Sequence, residues 1–147
     1  MISRILVPTD GSELAEKAAG YAIGLARDNG AAIVFLSVVD EMAPAFAFET
    51  ETGVNPNFPQ LTEQLDKAAH AFTNRLERQA AQAGVKAEAH VTEGHPWEEI
   101  LAEAERQGCD LIVLGSHGRR GLAAAFLGSV TTNVIHKTKI PVTIIPA

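Results

Sequence analysis

The sequence holds one cysteine, Cys109, so no disulfide can form within the chain, and a reducing compartment suits it. Basic residues are scarce as well. Lys and Arg number 12 against 18 Asp and Glu, for a formal net charge of −6, and the longest basic group is the pair Arg119-Arg120. A protein that grips nucleic acid shows a basic stripe, so nucleic acid is not the expected partner. No apolar run approaches the ~20 residues that span a bilayer, so membrane insertion is not expected either. The opening Met1-Ile2-Ser3-Arg4 runs straight into a strand-like segment and lacks the features of a signal peptide. The expected location is the cytoplasm. His70, His90, His95 and His136 stand at no metal-ligand spacing and read as structural or solvated. Three nucleotide and hydrolase motifs are missing too: G-x-x-x-x-G-K-[ST], G-x-G-x-x-G and G-x-S-x-G.

What is present describes an ordinary globular chain. It has 147 residues, 46% hydrophobic and 20% charged, enough for a sizeable core and suited to a single domain over 1–147. Ile5-Leu6-Val7 is a short apolar run closed by Pro8-Thr9-Asp10-Gly11, which reads as a buried strand. Ser12 and Glu13 then start a helix that ends at Asn29-Gly30. Residues 32–39 form a second strand, apolar on both faces, as in a parallel sheet covered by helices on each side. Pro44, Gly53, Pro56 and Pro59 interrupt residues 41–60, which read as a surface connection; a flap over a ligand or a subunit contact is the alternative. A long helix is expected over 61–80 and an outer strand over 85–91. Pro96 opens a third helix whose buried stripe is Trp97, Ile100, Leu101 and Ala104. A strand over 110–114, a glycine-rich segment from Gly115 to Gly128, a short helix from Ser129 to Lys137 and a strand over 141–145 complete the chain. Strict β-α alternation predicts a parallel sheet with right-handed crossovers.

Two motifs follow strands directly: Pro8-Thr9-Asp10-Gly11-Ser12, and Gly115-Ser116-His117-Gly118-Arg119-Arg120-Gly121. Ligands of open α/β sheets bind beyond the carboxyl ends of the strands, where strand order reverses. If these two strands are neighbours, both motifs face one crevice. Glycines let backbone approach a ligand, and a helix opening at Gly128-Ser129-Val130-Thr131 offers unpaired N–H groups to phosphates. Ser129 and Thr131 add hydroxyl donors, and Arg119, Arg120 and His117 add positive charge. Asp10 can accept ribose hydroxyls or a metal ion, or cap the first helix as part of a capping box. Val38 can offer backbone groups to a base edge. Cys109 reads as inert packing.

Gly115-x2-Gly118-x9-Gly128-Ser129 matches the pattern G-2x-G-9x-G-[ST] of the universal stress protein family. The segments Pro8 to Ser12, Asp110 to Gly118, Leu127 to Thr131 and Pro141 to Pro146 resemble that family too, in the same order along the whole chain. The resemblance implies a Rossmann-like three-layer α/β sandwich, with a five-stranded parallel sheet in the order 3-2-1-4-5. It implies ATP as ligand, with Mg²⁺ or Mn²⁺ on the phosphates; no protein metal ligand is assigned, and Asp10 is the candidate to meet a nucleotide-bound Mg²⁺. The base would lie by Val38 and by Pro8, Thr9 and Asp10. The phosphates would lie on Gly115, Ser116, His117, Gly118 and Arg119 and on Gly128, Ser129, Val130 and Thr131. It further implies a homodimer through strand 141–145 and a nucleotide-dependent regulatory role, read by a protein partner. The other readings are a slow ATPase or adenylyl-transfer enzyme, and a nucleotide-free dimeric interaction protein.

Overall fold

The computed structural model describes residues 1–40, 58–117 and 127–147. The strands are β1 (Arg4–Pro8), β2 (Ala32–Asp40), β3 (Ala87–Gly94), β4 (Leu111–Gly115) and β5 (Val142–Ile145). The helices are α1 (Glu13–Asn29), α2 (Phe58–Gln82), α3 (Pro96–Arg106) and α4 (Ser129–Lys137). All strand pairings are parallel, in the order β3-β2-β1-β4-β5. This is the expected topology, with strand order reversing between β1 and β4.

The sheet is covered on both faces because its strands carry apolar residues at odd and even positions alike. Ile5, Val7, Ile33, Phe35 and Val113 pack with α1 and α2 against Ala18, Ala22 and Leu76. Leu6, Val34, Leu36, Ile112 and Leu114 pack on the other face against Ile100, Ala104 and Val134 of α3 and α4. Alanines along the buried side of α1 let that helix approach the sheet closely. Its N-cap is Ser12, whose hydroxyl accepts the Ala15 N–H at 3.2 Å.

Three boundaries differ from the sequence reading. Helix α2 begins at Phe58 rather than after residue 60, because Pro59 falls in its first turn, where the missing N–H removes no helical bond. Strand β3 begins at Ala87, because the Gly84 and Val85 amides still bond carbonyls of the helix exit, Ala81 at 3.0 Å and Ala80 at 2.9 Å. Strand β4 begins at Leu111, because Asp110 is turned toward the N-terminal segment.

That turn ties the chain start to the sheet. The Asp110 carboxylate accepts the Ser3 N–H at 2.9 Å, the Ser3 hydroxyl at 2.6 Å and the Arg4 N–H at 3.2 Å. Burial pushes this carboxyl up, but the hydrogen bonds outweigh it and hold the group below its ordinary value. A lowered folded-state value contributes stability above the unfolded value, and the contribution is lost as pH falls through the folded one. Asp110→Asn is expected to cost about 1 kcal/mol at neutral pH. In thermal melts the gap to wild type should narrow toward about pH 3; a gap that stays constant with pH would show that the ionised carboxylate is not the cause.

Candidate functional site

Beyond the carboxyl ends of the strands lies a cavity of about 550 Å³, within the range of small-ligand sites. Strand β1 delivers Pro8, Thr9 and Asp10 to its wall, β2 delivers Val38, and the end of β4 delivers Gly115 and His117. Helix α4 delivers Gly128, Ser129, Val130 and Thr131. The two strand-end motifs therefore face one crevice, as neighbouring β1 and β4 require. Ser116 is not part of that wall. Its N–H donates to the Ile145 carbonyl at 2.9 Å, and its own carbonyl accepts the Gly128 N–H at 2.8 Å. Gly118, Arg119 and Arg120 lie outside the described residues, as does segment 41–57.

The β1 turn is held by its own side chains. Thr9 is buried; its hydroxyl accepts the Gly11 N–H at 3.2 Å and its N–H donates to the Leu36 carbonyl at 2.8 Å. The Asp10 carboxylate accepts the Ser12 N–H at 3.0 Å. Ser12 rather than Asp10 is thus the cap of α1, and Asp10 shapes the loop before it. Gly11 has φ 78°, and the Phe72 ring sits 2.5 Å from where a Cβ would be. Only glycine suits both conditions.

At the opposite end, Gly128 is the N-cap of α4 and bonds no side chain. The N–H groups of Ser129, Val130 and Thr131 form the first helical turn and have no carbonyl four residues back within the helix. They carry the positive end of the helix dipole into the cavity. The Thr131 hydroxyl, expected to face a ligand, donates instead to the Gly115 carbonyl at 2.9 Å, and the residue is 3% exposed. Ser129 is exposed, and its hydroxyl has no partner among the described residues. His117 Nδ1 lies 3.3 Å from the Ser116 hydroxyl. Among the described residues the cavity wall contains no Lys or Arg, and the first turn of α4 supplies positive potential there.

Several wall residues escaped the sequence reading. Leu65, Ala68 and Phe72 of α2 close one side, and Asp40 at the end of β2 also lines the wall. An apolar helical stripe looks the same in sequence whether it meets a core or a cavity, and Asp40 is simply the residue after a buried run. No group of three or more His, Cys, Asp or Glu is placed to hold a metal ion among the described residues. The Cys109 thiol is pushed up to about 11, chiefly by burial, which makes it an unreactive packing group. Among the described residues no helix is long and apolar enough to cross a membrane.

The sequence and the fold have parallels among known proteins. The model of the universal stress protein family matches residues 1–146. Universal stress protein MJ0577 of Methanocaldococcus jannaschii is 33% identical over 154 residues, covering 99% of this chain and 95% of its own. A solved structure of the MJ0577 protein superposes with a TM-score of 0.83, covering 99% of this chain and 96% of that one. Universal stress protein YxiE of Bacillus subtilis is 32% identical, with 99% of each chain covered. A more distant structure, a universal stress protein family protein from Arabidopsis thaliana with AMP bound, is 18% identical and shares the fold at a TM-score of 0.70, over 97% of this chain and 90% of its own. With the family model spanning nearly every residue and two full-length relatives at about one-third identity, this chain belongs to the universal stress protein family.

Proposed function

We propose that this protein binds ATP in the cleft at the strand ends and acts as a nucleotide-dependent regulatory module. The observation that carries the reading is the open N-terminus of α4, whose first-turn amides face the cavity at the switch point between β1 and β4. Charge sets the polarity of the bound molecule. Asp10 and Asp40 stand at the β1 and β2 end, where carboxylates repel phosphates and accept sugar hydroxyls. The α4 amides stand at the β4 end, where phosphates are favoured. The base then lies by Val38 against the apolar part of the wall. The Arabidopsis structure with AMP bound supports an adenine nucleotide as a ligand of this fold.

A divalent metal fits as a companion of the phosphates; among the described residues no group of three or more His, Cys, Asp or Glu is placed to hold one. Asp10 and Asp40 are the carboxylates of the wall, and either can meet a metal ion that the nucleotide carries. A second copy of the chain pairs on β5, one of the two edges of the sheet, and a protein partner reads the nucleotide state.

Purification without added nucleotide, denaturation and chromatography with mass detection test the reading. ATP near one per chain is the expected result. An empty protein whose melting ATP and Mg²⁺ do not shift would overturn it, and ADP or AMP in place of ATP would favour an enzyme. Light scattering on the same sample should give the mass of two chains; the mass of one would remove the dimer.

A further inference from the structure

Building on the nucleotide reading above, we infer that Thr131 is the positioning residue of the phosphate cradle. Its hydroxyl does not contact the ligand; it holds the α4 N-terminus against the end of β4. Two hydrogen bonds close the glycine-rich segment at its base. The Gly128 N–H donates to the Ser116 carbonyl at 2.8 Å, and the Thr131 hydroxyl donates to the Gly115 carbonyl at 2.9 Å. The two acceptors are adjacent residues at the end of β4, and the two donors are the N-cap and the third residue of α4. Chain ends brought together this way lose the freedom that an intervening segment would otherwise give them. The staple also presses His117 onto Gly128, where an added Cβ would stand 3.2 Å from the His117 Cα.

Hydrogen bonds to an anion weaken steeply as the N–H direction swings away. A staple that fixes the direction of the Ser129 and Val130 amides therefore controls affinity without touching phosphate. Burial of Thr131 at 3% exposure keeps water from competing for the Gly115 carbonyl. Thr131→Val preserves shape and removes only the donor, whereas Thr131→Ser preserves the donor.

The test has two readouts. In nucleotide-free protein, amide hydrogen exchange at Gly128 and Thr132, whose N–H groups donate to the Ser116 and Gly128 carbonyls, should quicken in Thr131→Val by about tenfold, the worth of one hydrogen bond, and stay near wild type in Thr131→Ser. In calorimetric titration with ATP and Mg²⁺, Thr131→Val should bind about tenfold more weakly and Thr131→Ser should recover most of the affinity. Ile33→Val, a change in the core beneath α1 and α2, lowers melting but should move neither readout. Unchanged exchange in Thr131→Val overturns the staple. Faster exchange with undiminished ATP affinity overturns the positioning role. Faster exchange in a protein whose wild type takes no ATP keeps the staple and removes the nucleotide reading instead.

Discussion

Gly128→Val is expected to weaken ATP binding by more than about 100-fold, the loss of two charge-assisted hydrogen bonds at roughly 1.5 kcal/mol each. The cause is space, since the Gly128 backbone at φ −66° is one that any residue can adopt. A Cβ there would lie 3.2 Å from the His117 Cα, 3.4 Å from its Cβ and 3.6 Å from the Ser116 carbonyl oxygen. Two of these neighbours are backbone atoms and cannot swing aside. A valine therefore pries the α4 N-terminus off β4, and the first-turn amides turn away from the cavity. Overpacking of this kind costs about 1–3 kcal/mol, so the variant still folds. Titration of the variant at a temperature below its melting decides the matter. Affinity within about threefold of wild type would mean that the helix N-terminus does not hold the phosphates.

The second large effect is on stability. Glu103→Ala is expected to destabilise the protein by about 3 kcal/mol, from the space left in a fully buried site together with the hydrogen bonds lost there. Glu103 is 1% exposed on the inner side of α3. Its carboxylate accepts the Gln107 side-chain N–H at 3.0 Å, lies 3.0 Å from His90 Nδ1, and pairs with Arg106. The far nitrogen of His90 meets Glu88 at 3.1 Å, and Arg4 joins Glu88 and Gln107 at 3.3 and 3.0 Å. The network thus binds edge strand β3 and central strand β1 to α3. Removing either Arg106 or His90 leaves Glu103 its remaining partners, Gln107 among them. Arg106→Ala and His90→Ala should each cost less, about 1–2 kcal/mol. Urea melts of the three variants give the comparison, and equal costs would show that Glu103 is hydrated in solution.

Glu103 also marks where sequence reasoning stopped. The stripe of Trp97, Ile100, Leu101 and Ala104 was legible from spacing alone, and α3 does bury Ile100 and Ala104. Glu103 lies three residues after Ile100 on the same side, but a glutamate in a helix normally signals water. Arg106 and Gln107 follow on the next turn, but only the fold brings His90 from β3 to complete the set of partners that stabilises the buried carboxylate. The strand order was readable because apolar runs covered on both faces and strict alternation leave few parallel topologies. Most of the proposed site residues were readable as well, since glycines and turn residues after strands mark where backbone meets a cavity. The direction of a hydroxyl was not. Ser129 and Thr131 look equivalent in sequence, yet one is exposed and the other is spent on the Gly115 carbonyl. The α2 wall escaped for a related reason, because Leu65 and Phe72 continue a periodicity that predicts burial without saying against what.

The central place of β1 bears on how the molecule comes together during synthesis. One edge of β1 finds β2 almost at once, through pairs such as Ile5 with Ile33. The other edge waits for β4, and the tie between Arg4 and Asp110 joins residues 106 positions apart. Closing so long a loop is entropically slower, and every parallel sheet of this contact order inherits the delay. Until Leu111 leaves the ribosome, β1 has a bare row of amides and carbonyls, and Leu6, Val34 and Leu36 lack the α4 side of their cover. The strand that delivers Pro8, Thr9 and Asp10 to the cleft is therefore the first made and among the last secured, which gives a nascent chain its longest interval of exposed edge at the strand on which the site is built.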